Sequence, residues 1–353
     1  MKEQSTINIT LPILFILLVF TLILFVEAFA TRTVIYTSQA TSPFSSILLN
    51  NSEISPVPMQ TPPSTPKVTL AVTPTVTPTL TPTATPTPNP VPITPIGSAI
   101  GNGLWTQTGS DLTPSQCAFY VSKNISYIYM EVGYWKSDCS IYYLVSAGEI
   151  RSAVANAHGA GLKVYAWVTS QISYGDQLNI GTSSLRQTAF NSMVNLVNVY
   201  GFDGIADDAE ELEYSVFSDY VAYFNGATLA MHSIGKQYFS AVLTYLATNM
   251  GSSLFSQINV DRLQPMLYGY PSNQLPEVFK VHLDFFLRHA SSPVGLAIHS
   301  DGPFQTLNSS MVWIDQQFAR GTPTYNLSGI DLFWFIGMNM TQWNQWSNWT
   351  TKK

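Results

Sequence analysis

Gly201-Phe202-Asp203-Gly204-Ile205-Ala206-Asp207-Asp208-Ala209-Glu210 reads as a helix end, a turn and one short strand that finishes in a cluster of acids. Gly201 stops the helix, because a residue without Cβ enters the left-handed conformation at a helix C-terminus at little cost. Side chains of a strand alternate between its faces, so Ala206, Asp208 and Glu210 share one face. Two carboxyls on one face at the C-terminal end of a parallel strand match the place where a barrel enzyme keeps its acid and base. A solvated acidic βα-loop is the plainer alternative, and the surrounding sequence decides between them.

Outward from this segment, strand-like runs alternate with helical ones. Eight are found in Gly103–Gln107, Tyr127–Val132, Lys163–Ser170, Gly204–Glu210, Tyr238–Tyr245, Arg262–Tyr270, Val294–Ser300 and Ile330–Gly337. Thr113-Pro114 places a cap before a proline suited to a first helical turn. Ser146 and Glu149 form a capping-box pattern. Gly159, Gly201 and Gly235 sit where helices should stop, each shortly before a strand. Strand and helix alternating in this way argue for parallel βαβ units. The length from Ser98 to Lys353 is close to the roughly 250 residues of a closed (β/α)₈ TIM barrel. An open doubly wound sheet is the alternative fold, but no glycine-rich phosphate loop follows the first strand.

A barrel aims other strand ends at the same mouth. The third strand offers Tyr165, Trp167 and Thr169 on one parity, and the sixth offers Gln264, Met266 and Tyr268. The eighth offers Leu332-Phe333-Trp334-Phe335. Convergent aromatics beside paired acids suit a carbohydrate site, since rings stack on the apolar faces of sugars while polar groups read hydroxyls.

The fourth-strand segment resembles the Asp-Gly-x-Asp-x-Asp-x-Glu signature of family 18 glycoside hydrolases, the chitinases and their relatives. Asp203-Gly204 matches its opening pair, Asp208 its last aspartate and Glu210 its catalytic acid. Gln264-x-Met266-x-Tyr268 resembles the family's Gln-x-Met-x-Tyr-Asp, and Trp334 falls where the family has its pocket-floor tryptophan. The resemblance implies Glu210, Asp208 and Tyr268 as catalytic residues, with Asp203, Gln264, Met266 and Trp334 around the substrate, to which third-strand parity adds Trp167 and Tyr165. It implies an N-acetylglucosamine-containing polysaccharide cleaved with substrate assistance, an exception to the two-carboxylate scheme. The sequence departs from the pattern at Ala206, in place of the middle aspartate, at Gly269, in place of the sixth-strand aspartate, and at Ala209, in place of tryptophan. A non-catalytic chitinase-like lectin on the same barrel is the alternative, and retention of Glu210 argues for the enzyme.

Other acids are weighed against this set. Glu131, Asp301 and Glu211 are candidates to complete an ordinary acid/base pair, although Glu211 has the wrong parity. His299 and Asp301 also fit a polar loop. A metal site from Asp207, Asp208, Glu210 and Glu211 fails because consecutive acids face opposite sides of a strand. No signal for a cofactor is present.

The N-terminal part is of another kind. Leu11–Val26 (LPILFILLVFTLILFV) is charge-free and apolar, preceded by Lys2. It fits a signal peptide cut after Ala28-Phe29-Ala30, or an uncleaved membrane anchor. Residues 1–30 are therefore assigned to a signal or anchor, 31–97 to a disordered stalk and 98–353 to the barrel. Within the stalk Pro74, Pro78, Pro82 and Pro86 recur every fourth residue among threonines, a composition that favours extended polyproline II over a packed core. The expected location is extracellular or at the cell surface. Sequons at Asn50, Asn124, Asn308, Asn326, Asn339 and Asn348 agree with export. Only 10% of residues are charged and the net charge is −6, so nucleic acid is excluded as a partner, and a polysaccharide or cell-wall glycan is the partner that the resemblance implies. Cys117 and Cys139 form either one disulfide or two buried thiols. Trp343, Trp346 and Trp349 read as the buried stripe of a last helix rather than as a sugar-binding strip.

Overall fold

The computed structural model describes residues 100–170, 176–214, 216–268, 277, 279–300, 306–333, 335 and 337–352. The apolar run at Leu11–Val26, the stalk, Gly269, Asp301 and Trp334 lie outside the described residues. Among the described residues no helix is long and apolar enough to cross a membrane.

The strands are β1 (Asn102–Thr106), β2 (Ile125–Trp135), β3 (Ile141–Tyr143), β4 (Lys163–Ser170), β5 (Leu178–Asn179) and β6 (Gly204–Ala209). They continue with β7 (Leu212–Glu213), β8 (Gln237–Leu243), β9 (Arg262–Met266), β10 (Val294–His299) and β11 (Leu327–Phe333). The helices are α1 (Pro114–Ser122), α2 (Ala147–Gly159), α3 (Ser183–Tyr200) and α4 (Phe217–His232). After them come α5 (Tyr245–Phe255), α6 (Asp284–His289), α7 (Leu307–Ala319) and α8 (Met340–Thr350).

Eight of the strands pair in parallel in the order β1-β11-β10-β9-β8-β6-β4-β2, and β1 pairs with β2 as well. The sheet is therefore a closed ring, and the open doubly wound alternative is set aside. All eight expected strands are present. The third matches residue for residue, while the fifth and sixth stop sooner than expected, at Leu243 and Met266. Beyond the ring, β2 runs on into an antiparallel hairpin with β3, and β5 pairs with β7 after the mouth.

Local signals set most helix ends. Thr113 accepts from the Gln116 amide ahead of α1, and Ser146 accepts from the Glu149 amide ahead of α2. The reciprocal half of the Ser146–Glu149 box is not made, because the Glu149 carboxylate takes the Gly109 N–H instead, at 3.1 Å. Gly201 caps α3 with φ 79°, as expected. After α2 the left-handed residue is Gly161 (φ 84°), not Gly159, which remains helical.

The main core lies between ring and helices. Trp343, Trp346 and Trp349 of α8 are buried in it, with Trp343 edge-on to Phe119 at 5.3 Å. Burying such a side chain contributes about 1.5–3 kcal/mol, so the stripe anchors the last helix and is not open to sugar. Cys117 and Cys139 are both buried and unpaired. The disulfide alternative is therefore not realised, and burial raises both thiol pKa values.

The ring interior is a second core, built from Trp105, Tyr127, Tyr129, Tyr165, Trp167, Ala206, Phe239, Ala241 and Met266. Barrels usually fill this space with layers of branched aliphatics. Here large rings are matched by the small Ala206 and Ala241. Toward the N-terminal end Arg262 is fully buried and paired with Asp331, Nη2 to Oδ1 at 2.7 Å. Its Nη1 donates to the Gly101 carbonyl at 2.9 Å. Gly295 is obligatory beside it, since a Cβ there would overlap the guanidinium.

Candidate active site

Asp208 sits on β6 with its side chain inside the ring. Its Oδ2 accepts from Trp167 Nε1 at 3.0 Å and Thr169 Oγ1 at 3.4 Å, both on β4. These bonds follow from register, because Thr169 lies opposite Asp208 and Trp167 opposite Ala206. The other oxygen, Oδ1, is buried and has no hydrogen-bond partner. Burial pushes the Asp208 carboxyl well above the ordinary carboxylate range, and the charges of Glu210 and Asp207 push it further against the two hydrogen bonds.

The strand ends at Ala209, and the Glu210 amide turns back to the Asp208 carbonyl at 3.0 Å. Glu210 is half-buried and close enough for its charge to act on both Asp208 and Tyr268. Tyr268 follows β9; burial first, then the charges of Asp208, Glu210 and Asp331, raise its phenol well above the usual value. The three residues expected to carry the chemistry thus meet at the C-terminal end of the ring.

Aromatic rings surround them. Tyr268 stacks on Phe333 at 5.0 Å and 8°, and His299 joins both at 5.3 and 5.5 Å. Trp105 meets Trp167 edge-on at 5.0 Å, and Phe333 reaches Trp167 at 5.9 Å. Met266 packs in the same cluster. The indole N–H of Trp105 is buried without an acceptor. Sequence reasoning missed Trp105 and gave Phe333 no role of its own, while Trp334 lies outside the described residues. Strand parity held the signal, since Asp331 and Phe333 alternate onto the inner face of β11. His299, expected in a polar loop, instead belongs to this ring cluster. Glu131 is buried on β2 opposite Trp167, and the Glu211 amide donates to the Ser170 carbonyl at 3.0 Å.

Three expected substrate residues lie elsewhere. Asp203 precedes β6, roughly 16 Å from Asp208 at about 3.3 Å per strand residue. Its Oδ2 is bonded to the Val164 amide and His158 Nε2, both at 2.8 Å. Asp261 repeats the arrangement with the Tyr238 amide and His232, so the pair of aspartates ties strand starts to helix ends. Gln264 donates to Asp331 Oδ2 at 2.7 Å and belongs to the buried Arg262 cluster. The Tyr165 hydroxyl donates to Gln237, with its ring stacked on Phe239 at 4.2 Å. All three sit too early on their strands to reach the mouth. Among the described residues no group of three or more His, Cys, Asp or Glu side chains is arranged to hold a metal ion.

No family profile matches the sequence, and no curated protein matches it. Solved structures do match its fold. A class V chitinase from Pseudomonas fluorescens Pf-5 superposes with TM-score 0.54 at 13% identity, covering 72% of this chain and 100% of that one. The catalytic domain of a family GH18 chitinase from the fern Peteris ryukyuensis gives 0.51 at 14% identity, covering 71% and 98%. The fold is a (β/α)₈ barrel like that of these chitinases. The Bacillus cereus spore cortex-lytic enzyme SleL has the same fold, with TM-score 0.52 at 11% identity, covering 71% of this chain and 74% of that one. The chain therefore shares the barrel fold of these neighbours while sharing little sequence with them.

The raised Asp208 carboxyl has a stability consequence. An unfolded aspartate loses its proton near pH 3.9, whereas folded Asp208 keeps it to higher pH. Between those two values the folded chain binds more protons than the unfolded one, so stability falls as pH rises. Asp208→Asn is expected to raise the melting temperature at pH 7 and to change it much less at pH 4. Equal shifts at both pH values in thermal denaturation would refute the assignment.

Proposed function

We propose that this domain is a glycosidase acting on an N-acetylated polysaccharide outside the cytoplasm, with Glu210 as general acid. The observation that carries the reading is the convergence of Asp208, Glu210 and Tyr268 on one end of the ring beside an aromatic floor. The unpartnered Oδ1 of Asp208 is an acceptor suited to an acetamido N–H, and burying it empty costs about 1–3 kcal/mol that a ligand would relieve. In this reading Glu210 protonates the glycosidic oxygen and so needs its proton near working pH. Asp208 orients the acetamido group, and Tyr268 donates to its oxygen as that oxygen attacks the anomeric carbon. Trp105, Trp167 and Phe333 supply apolar faces for sugar rings. The neighbours named as chitinases and as a cortex-lytic enzyme support a structural polysaccharide as substrate. The apolar run at Leu11–Val26 and the stalk support display at the cell surface, with the run either cleaved or retained as an anchor.

A non-catalytic sugar-binding role is the second reading, favoured by Ala206 lying in the aromatic cluster where the resembled signature has a carboxylate. The deciding experiment incubates the full chain with acetylated chitooligosaccharides and with non-acetylated glucans of equal length. Turnover of the acetylated set alone is the expected result. Binding without turnover transfers the assignment to the lectin reading, and neither binding nor turnover overturns both.

A further inference from the structure

Asp207 is a fully buried acid that the chemistry proposed above does not use. It occupies the outer face of β6, between ring and helices, where the resembled signature leaves the residue unspecified. Three side chains from three elements donate to it. Trp135 Nε1 at the end of β2 reaches Oδ1 at 2.9 Å, while Tyr223 of α4 and Tyr238 of β8 each place a hydroxyl 2.6 Å from Oδ2. All four residues are fully buried. Burial raises the Asp207 carboxyl from its ordinary value, and the three converging donors act against that rise in favour of the ionised form. Each donor is a neutral group, and among the described residues no cation pairs with it. Once ionised, its charge is therefore held in place without being cancelled.

The residue that follows is Asp208, on the opposite face of the same strand. The interior has no acid at 206, where the side chain is Ala206 packed among Trp105, Trp167 and their neighbours. We propose that Asp207 is a positioning residue for this site, which clamps the end of β6 from behind and supplies from the outer face the second negative charge that the interior lacks at Ala206. The proposal rests on the roles given to Asp208 and Glu210. Its geometry is a three-point anchor within one residue of the reacting end. The influence of Asp207 on Asp208 adds to this and has the same sign as that of Glu210. The other titratable groups that act on Asp208 or are acted on by it are Glu210 on its own segment and Tyr268 after β9, while His299 of β10 packs on Tyr268 and Glu131 of β2 lies in register with Trp167. Those facing Asp207 are Tyr223 and Tyr238.

A purely structural acid would contribute to stability and leave the protonation of Asp208 alone. The test is a carboxyl ¹³C NMR titration of the full chain, with the Asp208 signal assigned by comparison with Asp208→Asn. In Asp207→Asn the Asp208 midpoint is expected to fall by about one pH unit, the scale of a close like charge. Should Asp207→Asn not fold, Tyr223→Phe withdraws one donor, leaves Asp207 less fully ionised and moves the midpoint the same way by less. An unmoved Asp208 midpoint in a folded variant overturns the proposal. If the wild type cleaves no glycoside, the functional reading fails while the titration still decides this one.

Discussion

Glu210→Gln is expected to abolish hydrolysis of a chromogenic chitooligosaccharide while leaving the melting temperature within a few degrees of wild type. The side chain is half-buried and lies past the last residue of β6, so an isosteric amide should disturb little packing. What it removes is the proton. General acid catalysis contributes about 10²–10⁴-fold, and kcat should fall by that factor with KM nearly unchanged, because the group acts on the leaving oxygen rather than on the bound sugar. The amide also takes a negative charge away from Asp208 and Tyr268, so the raised pKa of each should relax downward. A folded variant that retains full turnover would remove Glu210 from the mechanism.

The second large effect is on stability. Asp331→Asn leaves the Arg262 guanidinium, fully buried in the ring, without its counter-charge. Breaking a buried pair from one side costs about 3–5 kcal/mol, because the stranded charge has no water to return to. For a domain of this size that corresponds to a fall in melting temperature of roughly 10 °C. Replacing both partners, as in Arg262→Met with Asp331→Leu, should cost less than the single change, since no charge is then stranded. Thermal denaturation of the three variants checks the order. A single variant as stable as wild type would mean that water reaches Arg262.

The second effect arises where the chain's own pattern stops being informative. Strand and helix order was legible because each element carries a local signal. Lys163–Ser170 begins and ends as expected, Gly201 stops α3 in the left-handed conformation, and Thr113 and Ser146 cap α1 and α2. Boundaries failed where local signals compete. Glu149 gives its carboxylate to Gly109, forty residues earlier, and not to its own helix. The Gln264-x-Met266-x-Tyr268 spacing placed three residues on one face correctly, yet only Met266 and Tyr268 come to the aromatic cluster. Gln264 is drawn to Asp331, 67 residues further along the chain.

The amino-acid sequence by itself determined the alternation of eight strands with helices, the face shared by Asp208 and Glu210, and the resemblance that proposes their chemistry. Those properties depend on neighbours a few residues apart, through the two-residue period of a strand and the conformational preferences of helix ends. Tertiary structure alone decided that Asp203 lies at the far end of the ring, that Phe333 stacks on Tyr268, that Asp207 gathers three donors and that the two cysteines stay apart. Each of these is a meeting of residues distant in the chain. It is set by ring closure and inter-strand register, which no single segment encodes.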